Sequence, residues 1–327
     1  MADQQSEGVL GRKRDNDQGS NENAKTKIVE ERELKKGKKS SLKNNDEGII
    51  SEYPLSQPLF DVAGGNFVVT GGGQGLGKAV AESLISNGAA GVVIACRSNE
   101  QGETFKEKAA EISGNCKVGF VLGDLSIVED CRNMIQKSEE MLGPIHGLVN
   151  AAGDTTRASL ETATPEVYDR IMNTNTRGPY FMIQEVAKVM KKHKVQGSIV
   201  NIGSIAAHGG APGISVYCLS KAAVNMMTKV TAQELKPHQI RVNSVNMGWT
   251  ATDNECKIMT KERGEGWLDK ADKRHPFQRL LRPVDIAATV GFLLSKASVM
   301  ITGAIIDQHP EYINGEFIEI PLFQSNS

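Results

Sequence analysis

Short apolar runs alternate with longer amphipathic stretches along most of the chain. The runs at residues 66–70 (NFVVT), 91–96 (GVVIAC) and 117–122 (KVGFVL) are rich in β-branched residues, which predicts buried strands. Stretches with helical spacing separate them. A strand–helix–strand rhythm of this kind predicts parallel strands joined by right-handed crossovers, so the fold class is α/β.

The same rhythm continues beyond residue 122. Further strands are predicted at residues 146–150, 198–202, 239–245 and 303–307, and helices at residues 127–142, 165–193 and 283–294. Pro179 lies inside the second of these helices and must disturb its hydrogen bonds. A carbonyl freed near Asn175 could hold a water that connects Lys221 to solvent. The alternative is that Asn173 and Asn175 simply pack at a kink.

Residues 253–280 break the rhythm, because they are charged and poorly periodic, with Trp267 and Phe277 among them. A long excursion beside a cleft is typical of a lid, so we interpret this segment as the substrate loop. The final residues 309–321 (HPEYINGEFIEIP) are too irregular to assign to an element.

Residues 1–58 are polar and charged, with almost no aromatic or periodic apolar positions. Such a segment cannot bury enough surface to offset its ordering entropy, which predicts a disordered arm with a frayed helix near residues 26–34. Basic clusters at residues 11–14 and 35–39 indicate nuclear import or an electrostatic tether, but interleaved acids favour a solvated tail. The remaining residues, 59–327, form the predicted single domain.

Composition excludes several classes of protein. The 327 residues carry a net charge of −1, so a general attraction to nucleic acid or anionic membranes is not expected. No apolar run approaches the roughly 20 residues of a membrane helix. The five cysteines are odd in number and lack metal-ligand spacing. They indicate reduced thiols, no metal site and a cytoplasmic protein, with a nuclear location as the alternative.

A glycine-rich turn at residues 71–77 (GGGQGLG) joins the first strand to the first helix. Gly71, Gly75 and Gly77 let the backbone approach a phosphate, and the helix N-terminus offers free N–H groups and a positive dipole end. Such a turn alone also forms plain loops. Its position between strand and helix favours a dinucleotide site.

The end of the second strand indicates which dinucleotide binds. NAD-selective folds tend to carry an acid there for the ribose 2′-hydroxyl, whereas this strand ends in Cys96. Arg97 is placed to pair with a 2′-phosphate, which favours NADP(H) over NAD(H). The alternative is a merely solvated Arg97. At the third strand end, Asp124 is placed to meet an adenine amino group, to N-cap the helix near Ile127, or both.

Ser204, Tyr217 and Lys221 are the candidates for the chemistry. Tyr217 and Lys221 stand at positions i and i+4, so they share one helix face. An ammonium beside a phenol favours the phenolate and lowers the tyrosine pKa, which suits proton exchange with a substrate oxygen. Ser204 follows the strand at 198–202 and could hold the same oxygen. The alternative is a solvated helix face.

Four motifs in order carry a family resemblance: TGGGQGLG at 70–77, NAAG at 150–153, NTRG at 175–178, and Ser204 with YCLSK at 217–221. Together they resemble the single-domain short-chain dehydrogenase/reductases, over residues 59 to 308. The resemblance implies a doubly wound, seven-stranded parallel Rossmann sheet with helices on both faces. It also implies a homo-oligomer, a tetramer or dimer, with two long helices of each subunit at an interface.

The resemblance assigns roles to individual residues. Tyr217 is implied as general acid/base, Lys221 as the group that lowers its pKa and holds the ribose, Ser204 as the binder of the substrate oxygen, and Asn175 as support for a proton relay. The implied cofactor contacts are Gly71, Gln74 and Leu76 for the pyrophosphate, Asp124 for the adenine, Asn150 on the adenosine ribose side, and Thr252 for the nicotinamide amide. The full set of predicted cofactor-binding residues further includes Gly75, Gly77, Arg97, Tyr217, Lys221 and Thr250.

The chain departs from the family pattern in its N-terminal arm and at two further places. Met247–Gly248 stands where the family usually has Pro-Gly, which bears on the shape of that loop. Asp307, Gln308 and His309 stand where it usually has Asp-Gly-Gly, which bears on the wall of the substrate pocket. A Gly-Trp-Thr loop with an Asp-Gln ending resembles polyol or sugar dehydrogenases.

The hypothesis is therefore an NADP(H)-dependent oxidoreductase that moves a hydride between nicotinamide and a carbonyl or secondary alcohol of a small polyol or keto-sugar. The alternative substrates are 3-oxoacyl thioesters or hydrophobic ketones such as steroids, and the few aromatics in the loop weigh against a large flat ligand. A non-catalytic dinucleotide-sensing regulator or scaffold is the alternative from another class. Retention of both Tyr217 and Lys221 favours the enzyme.

Overall fold

The computed structural model describes residues 60–310 and the short strands Tyr312–Ile313 and Glu316–Phe317. The predicted arm at residues 1–58, with its frayed helix and basic clusters, lies outside the described residues.

Seven parallel strands form the main sheet, which confirms the predicted α/β fold with a doubly wound sheet. The strands are β1 (Asn66–Thr70), β2 (Gly91–Cys96), β3 (Lys117–Leu122), β4 (Gly147–Asn150), β5 (Ser198–Ile202), β6 (Arg241–Met247) and β7 (Ile305–Gln308). Their spatial order is β3-β2-β1-β4-β5-β6-β7. The order reverses between β1 and β4, and a ligand crevice forms at such a switch point, beyond the carboxyl ends of the strands.

Helices connect the strands and cover both faces of the sheet. They are α1 (Gly75–Ser86), α2 (Asn99–Ile112), α3 (Val128–Leu142), α4 (Pro165–Met172), α5 (Gly178–Lys192), α6 (Ser215–Leu235), α7 (Asp253–Arg263), α8 (Trp267–Arg274) and α9 (Pro283–Leu294). No helix among the residues described here is long and apolar enough to cross a membrane.

Two apolar layers hold the helices to the sheet. Successive residues of β1 point to opposite faces of the sheet, as the pleat requires. Val69 belongs to the cluster that contains Leu84 of α1 and Val290 of α9. Val68 belongs to the cluster that contains Met182 of α5 and Val224 of α6. Burial on both faces explains why the strands are almost continuous apolar runs.

The helix predicted at residues 165–193 is interrupted. A π-helical turn, Asn173–Arg177, separates α4 from α5, and Pro179 is the second residue of α5. Proline has no N–H to donate to the preceding turn, so a wider turn at this place is the expected consequence.

Two helices that were not predicted, α7 and α8, occupy most of the predicted substrate loop at residues 253–280, whose role stays a prediction. Helices α7 and α8 are joined through Gly264 and Gly266, which have φ values of 79° and 75°. Met259, Trp267 and Leu280 form a small buried cluster beneath them. The apolar side of these two helices consists of too few residues to be recognised in the sequence among so many charged positions.

Three strand predictions near the end of the chain need correction. Strand β6 begins at Arg241 rather than residue 239, because Gln239 adopts a left-handed φ of 57°. Strand β7 begins at Ile305 rather than residue 303, because Gly303 has a φ of 72°. Where no element was predicted, Tyr312–Ile313 (β8) pairs with Glu316–Phe317 (β9) as antiparallel strands.

Candidate active site

The glycine turn lies at the carboxyl end of β1 and closes tightly against its surroundings. Gly71 has a φ of 67° and donates a 2.8 Å hydrogen bond from its N–H to the carbonyl of Ala95. A Cβ on Gly77 would overlap the carbonyl oxygen of Gly71, so the first turn of α1 packs on the loop only with glycine there. The result is a backbone cradle at a helix N-terminus, which fits a pyrophosphate.

Thr70 fastens this cradle to the turn after β4. Its Oγ1 accepts hydrogen bonds from the N–H groups of Ala151 at 3.0 Å and Ala152 at 3.1 Å. Sequence reasoning missed Thr70. The available signal was a hydroxyl as the last residue of an apolar strand.

Asn150, at the end of β4, carries an unsatisfied polar atom. Its Nδ2 donates to Oδ1 of Asn201 at 2.9 Å, whereas its own Oδ1 is buried and has no hydrogen-bond partner among the described residues. An unsatisfied buried acceptor costs about 1–3 kcal/mol, so it fits a donor supplied by a ligand such as a ribose hydroxyl. Together with the glycine cradle, this orphaned oxygen shows that the residues fit a dinucleotide.

Arg97 lies directly after the end of β2, and Gln74 is the N-cap residue of α1. Arg97 follows β2 directly, is exposed, and makes no ion pair or hydrogen bond within residues 60–310. Gln74 accepts a 3.3 Å hydrogen bond at its Oε1 from Nε2 of Gln101 in α2. Leu76 packs at the edge of the apolar cluster under α1.

Asp124 does not cap α3, so that alternative is wrong. The N-cap is Ile127, and Asp124 instead accepts a 2.8 Å hydrogen bond at Oδ1 from the N–H of Ser126. Its own N–H donates to Oδ2 of Asp130 at 2.8 Å. This local turn holds the Asp124 carboxylate at the end of β3, and its adenine contact stays a prediction.

Ser204, Tyr217 and Lys221 come together, and all three are buried. Ser204 follows β5, and its hydroxyl is near enough to the Tyr217 phenol to act on the pKa of Tyr217. Lys221 donates from Nζ to the carbonyl of Ile202 at 2.7 Å, and Nζ lies 5.6 Å from the centroid of the Tyr217 ring. Their burial contradicts the alternative of a solvated helix face.

The expected lowering of the Tyr217 pKa is wrong for this arrangement. Burial raises the pKa of Tyr217 to about 12, although the nearby Ser204 hydroxyl acts in the opposite direction. Burial likewise lowers the pKa of Lys221 to about 8. The physical reason is that desolvation dominates both groups and the ammonium points at Ile202 rather than at the phenol oxygen. Tyr217 is therefore a protonated phenol at neutral pH.

Asn175 lies in the π-helical turn and is buried. Its Oδ1 accepts from the N–H of Asp154 at 2.7 Å, and its Nδ2 donates to the Asp154 carbonyl at 2.9 Å and to Oγ of Ser220 at 3.0 Å. A Cβ on Gly153 would lie 3.4 Å from Oδ1 of Asn175 and 3.9 Å from Nζ of Lys221. Asn175 therefore ties the turn after β4 to the helix of Tyr217, and its relay role stays a prediction.

Thr250 and Thr252 belong to the loop that follows β6. The Thr250 hydroxyl donates to the carbonyl of Gly248 at 3.1 Å, and the Thr252 hydroxyl caps α7 by accepting from the N–H of Glu255 at 3.2 Å. A Cβ on Gly75 would lie 3.8 Å from Cβ of Thr252. The loop thus faces the glycine turn across the crevice, as a nicotinamide-side loop must, while the individual contacts stay predictions.

Comparison with known proteins agrees with this geometry. Residues 71–308 match the family model described as Enoyl-(Acyl carrier protein) reductase. The chain is 35% identical over 252 residues to L-xylulose reductase of Caenorhabditis elegans, a match that spans 76% of this chain and 95% of that protein. It is 33% identical over 239 residues to Carbonyl reductase [NADPH] 2 of Sus scrofa, which spans 73% of this chain and 92% of that protein.

The chain belongs to the short-chain dehydrogenase/reductase family. A solved structure of a 3-oxoacyl (acyl-carrier-protein) reductase from Agrobacterium tumefaciens C58, with NADP bound, superimposes with a TM-score of 0.71 at 25% identity, over 78% of this chain and 98% of that chain. As a short-chain dehydrogenase/reductase, the protein is an oxidoreductase of CH–OH and carbonyl groups that uses NAD(P) and acts on small molecules.

In this short-chain dehydrogenase/reductase, sequence reasoning also missed a polar network that contacts Ser204. Asn246, fully buried in β6, accepts a 3.2 Å hydrogen bond at Oδ1 from the N–H of Ser204. Its Nδ2 lies 3.1 Å from Oδ1 of Asp307 and 3.0 Å from Nε2 of His208. The Asp307 Oδ1 and His208 Nε2 atoms are themselves 2.6 Å apart. The signal was an asparagine near the end of an apolar strand, but its partners are distant in the sequence.

Within the described residues, no group of three or more His, Cys, Asp or Glu side chains is arranged to hold a metal ion.

Proposed function

We propose that this short-chain dehydrogenase/reductase is an NADP(H)-dependent reductase that interconverts the carbonyl and secondary-alcohol forms of a small polyol or keto-sugar. The observation that carries the proposal is the buried group of Ser204, Tyr217 and Lys221 at the carboxyl edge of the sheet, beside the glycine cradle.

The cofactor is held by the residues around the switch point. The backbone of the glycine turn takes the pyrophosphate, Asp124 and Asn150 take the adenosine side, Lys221 the nicotinamide ribose, and the loop of Thr250 and Thr252 the nicotinamide. A bound nicotinamide supplies the hydride for reduction and accepts it in the reverse direction. These assignments rest on the position of each residue and on its role in the family.

Preference for NADP(H) rests on charge at the end of β2. Arg97 is exposed there, and β2 ends in Cys96 rather than in a carboxylate that would repel a 2′-phosphate. The name of the pig relative, which includes NADPH, and the NADP in the Agrobacterium structure support the same choice.

The proton moves through Tyr217. A phenol whose pKa is raised to about 12 stays protonated at neutral pH and can donate to the oxygen of a carbonyl that accepts a hydride. Ser204 holds that oxygen beside the phenol. The Lys221 ammonium, fixed on the carbonyl of Ile202, favours the transient phenolate. Proton transfer of this kind accelerates a reaction by about 10²–10⁴-fold, and the remainder comes from positioning.

A polyol or keto-sugar is the favoured substrate, supported by the relative named L-xylulose reductase and by the Gly-Trp-Thr and Asp-Gln features. The name of the Agrobacterium structure favours 3-oxoacyl thioesters as the second candidate. A regulator without turnover is the remaining candidate from another class.

The proposed assembly is supported by exposed apolar side chains, and the proposed location by the free cysteines. Leu219, Met226 and Val230 on α6 and Tyr180 on α5 are large, apolar and exposed. A strip of this kind on two long helices fits a homo-oligomer, a dimer or a tetramer. All five cysteines are free, which favours the cytoplasm over an oxidising compartment.

A labelled-cofactor assay tests the proposal. The purified full chain is given NADPH deuterated at the transferable position, together with ketoses, vicinal diketones and 3-oxoacyl thioesters in parallel. We expect deuterium at the carbinol carbon of the ketose product. Tight NADPH binding without transfer to any carbonyl would instead favour the regulator.

A further inference from the structure

The carboxylate of Glu255 lies next to the loop assigned to the nicotinamide. Glu255 is the third residue of α7, and its N–H donates to the Thr252 hydroxyl at 3.2 Å. Thr252 in turn faces Gly75 across the crevice. The N-terminal turn of α7 therefore stands at the mouth of the site, with Glu255 on that turn.

The groups around the Glu255 carboxylate fix its orientation but do not pair closely with its negative charge. Its Oε1 accepts a 2.8 Å hydrogen bond from Nε1 of Trp249. Nη2 of Arg157 is 3.9 Å from the same oxygen, whereas Nη1 of Arg157 is 2.7 Å from Oε2 of Glu262. Oε2 of Glu255 has no hydrogen-bond partner in the described part of the chain, so it retains acceptor capacity.

The segment that contains Arg157 also contacts α6, the helix that carries Tyr217. Ala158, next to Arg157, accepts hydrogen bonds from the N–H of Ser215 at 3.0 Å and from its hydroxyl at 3.2 Å. Ser215 is the first residue of α6, two positions before Tyr217. Burial is the main cause of the raised pKa of the Tyr217 phenol, and the negative charge of Glu255 raises it further, so the carboxylate is near enough to act on the phenol.

The geometry points to Glu255 as a specificity-determining residue, whose free carboxylate oxygen accepts hydrogen bonds from hydroxyl groups on the carbon chain of the substrate. This inference rests on the proposed function and deepens it. A fixed carboxylate binds neutral polyhydroxylated molecules through charge-assisted hydrogen bonds, and it repels a substrate carboxylate or phosphate near the reacting carbonyl. The substrate class is thus a neutral ketose or polyol rather than a keto acid.

Glu255→Gln tests this assignment, since glutamine keeps the shape and can still accept from Trp249. The kcat/KM is measured with a neutral ketose, with a vicinal diketone that lacks hydroxyls, and with a keto acid of the ketose's length. We expect the ketose value to fall by roughly 10-fold, mainly through KM, because a charge-assisted hydrogen bond is replaced by a neutral one. The diketone value stays within about twofold and the keto acid value rises.

Glu262→Gln is the matched control, because Glu262 lies on the same helix and pairs with the same arginine, whereas the Trp249 indole N–H donates to Glu255. It leaves all three values within about twofold. Equal losses of Glu255→Gln on ketose and diketone would overturn the assignment in favour of a structural role for α7, and so would an unchanged ketose value.

A measurement on the unaltered protein covers the case in which Glu255→Gln does not fold. Discrimination against the keto acid relative to the ketose should shrink as salt rises, because ions screen the repulsion. Salt-independent discrimination would overturn the assignment. If the protein turns over the diketone but the relative kcat/KM values for ketose, diketone and keto acid do not behave as expected, only the role of Glu255 is refuted. If it turns over no carbonyl compound, the proposed function and this inference are refuted together.

Discussion

The Nζ of Lys221 lies 5.6 Å from the centroid of the Tyr217 ring, because its hydrogen bond goes to the backbone carbonyl of Ile202 at 2.7 Å. The lysine therefore acts on the phenol as a nearby charge rather than as a direct partner. Since burial lowers the pKa of Lys221 to about 8, that charge is present at neutral pH and disappears in mildly alkaline solution.

The pH dependence of reduction should report Lys221. Its ammonium form is present below pH 8 and is lost above it, while Tyr217, with a pKa of about 12, stays protonated throughout this range. We expect kcat for carbonyl reduction to be level at pH 6–7 and to fall above about pH 8. The measurement is the kcat profile from pH 6 to 10 at saturating NADPH and ketone.

Lys221→Arg separates this lysine from other groups that titrate nearby. A guanidinium keeps its charge over the whole range, so the alkaline limb near pH 8 should vanish even if the rate is lower. Persistence of the same limb in Lys221→Arg would show that another group is responsible.

Arg97→Asp should reverse the cofactor preference. The change removes the cation expected on the 2′-phosphate and places an acid where it can bind a ribose 2′-hydroxyl. We expect the ratio of kcat/KM for NADPH over NADH to fall by about 10–100-fold, the magnitude of one charge-assisted contact.

Lys137→Asp is the control for this ratio. Lys137 is exposed in the middle of α3, and its substitution makes the same change in net charge. It should leave the cofactor ratio unaltered. If Arg97→Asp behaves like this control, the interpretation of Arg97 fails.

Asn175→Ala should lower both the stability of the protein and its turnover rate. The substitution removes two hydrogen bonds to the backbone of Asp154 and one to Ser220 from a buried position. We expect the free energy of unfolding to drop by about 1–3 kcal/mol, with a lower kcat, because Lys221 and Gly153 lose a common support. Urea denaturation followed by circular dichroism measures the first effect, and steady-state kinetics the second.

Asn173→Ala provides the comparison within the same π-helical turn. The Asn173 side chain makes no hydrogen bond with the rest of the described residues, so its loss should change the free energy of unfolding by less than about 0.5 kcal/mol. Equal effects of the two substitutions would mean that the turn as a whole, rather than Asn175, supports the site.

The elements that the sequence predicts best are those with strong local signals. Strand β3 and helix α9 have the predicted bounds, because an apolar run between polar turns defines the first and Pro283 begins the second. Helices α7 and α8 escaped prediction because their buried side consists of a few residues such as Met259 and Trp267 among many charges. The limits of β6 and β7 depend on left-handed residues, of which only Gly303 is a glycine.

The candidate site shows a similar division. Ser204, Tyr217 and Lys221 could be named from motif and order, and the structure brings them together. The direction of the Tyr217 pKa could not be predicted, because spacing along a helix does not reveal how deeply a phenol is buried or where an ammonium points. The contacts of Asn246 and His208 could not be predicted either, since their shared partner Asp307 lies in a distant segment of the chain.

The central claim is that Tyr217 exchanges the proton while a hydride moves between NADPH and a carbonyl. The most direct measurement is the single-turnover rate of NADPH oxidation by Tyr217→Phe, with NADPH affinity determined by fluorescence titration. We predict a rate about 10²–10⁴-fold below that of the unaltered protein, with NADPH affinity within about threefold. A Tyr217→Phe variant that reduces the ketone at the unaltered rate would contradict the account.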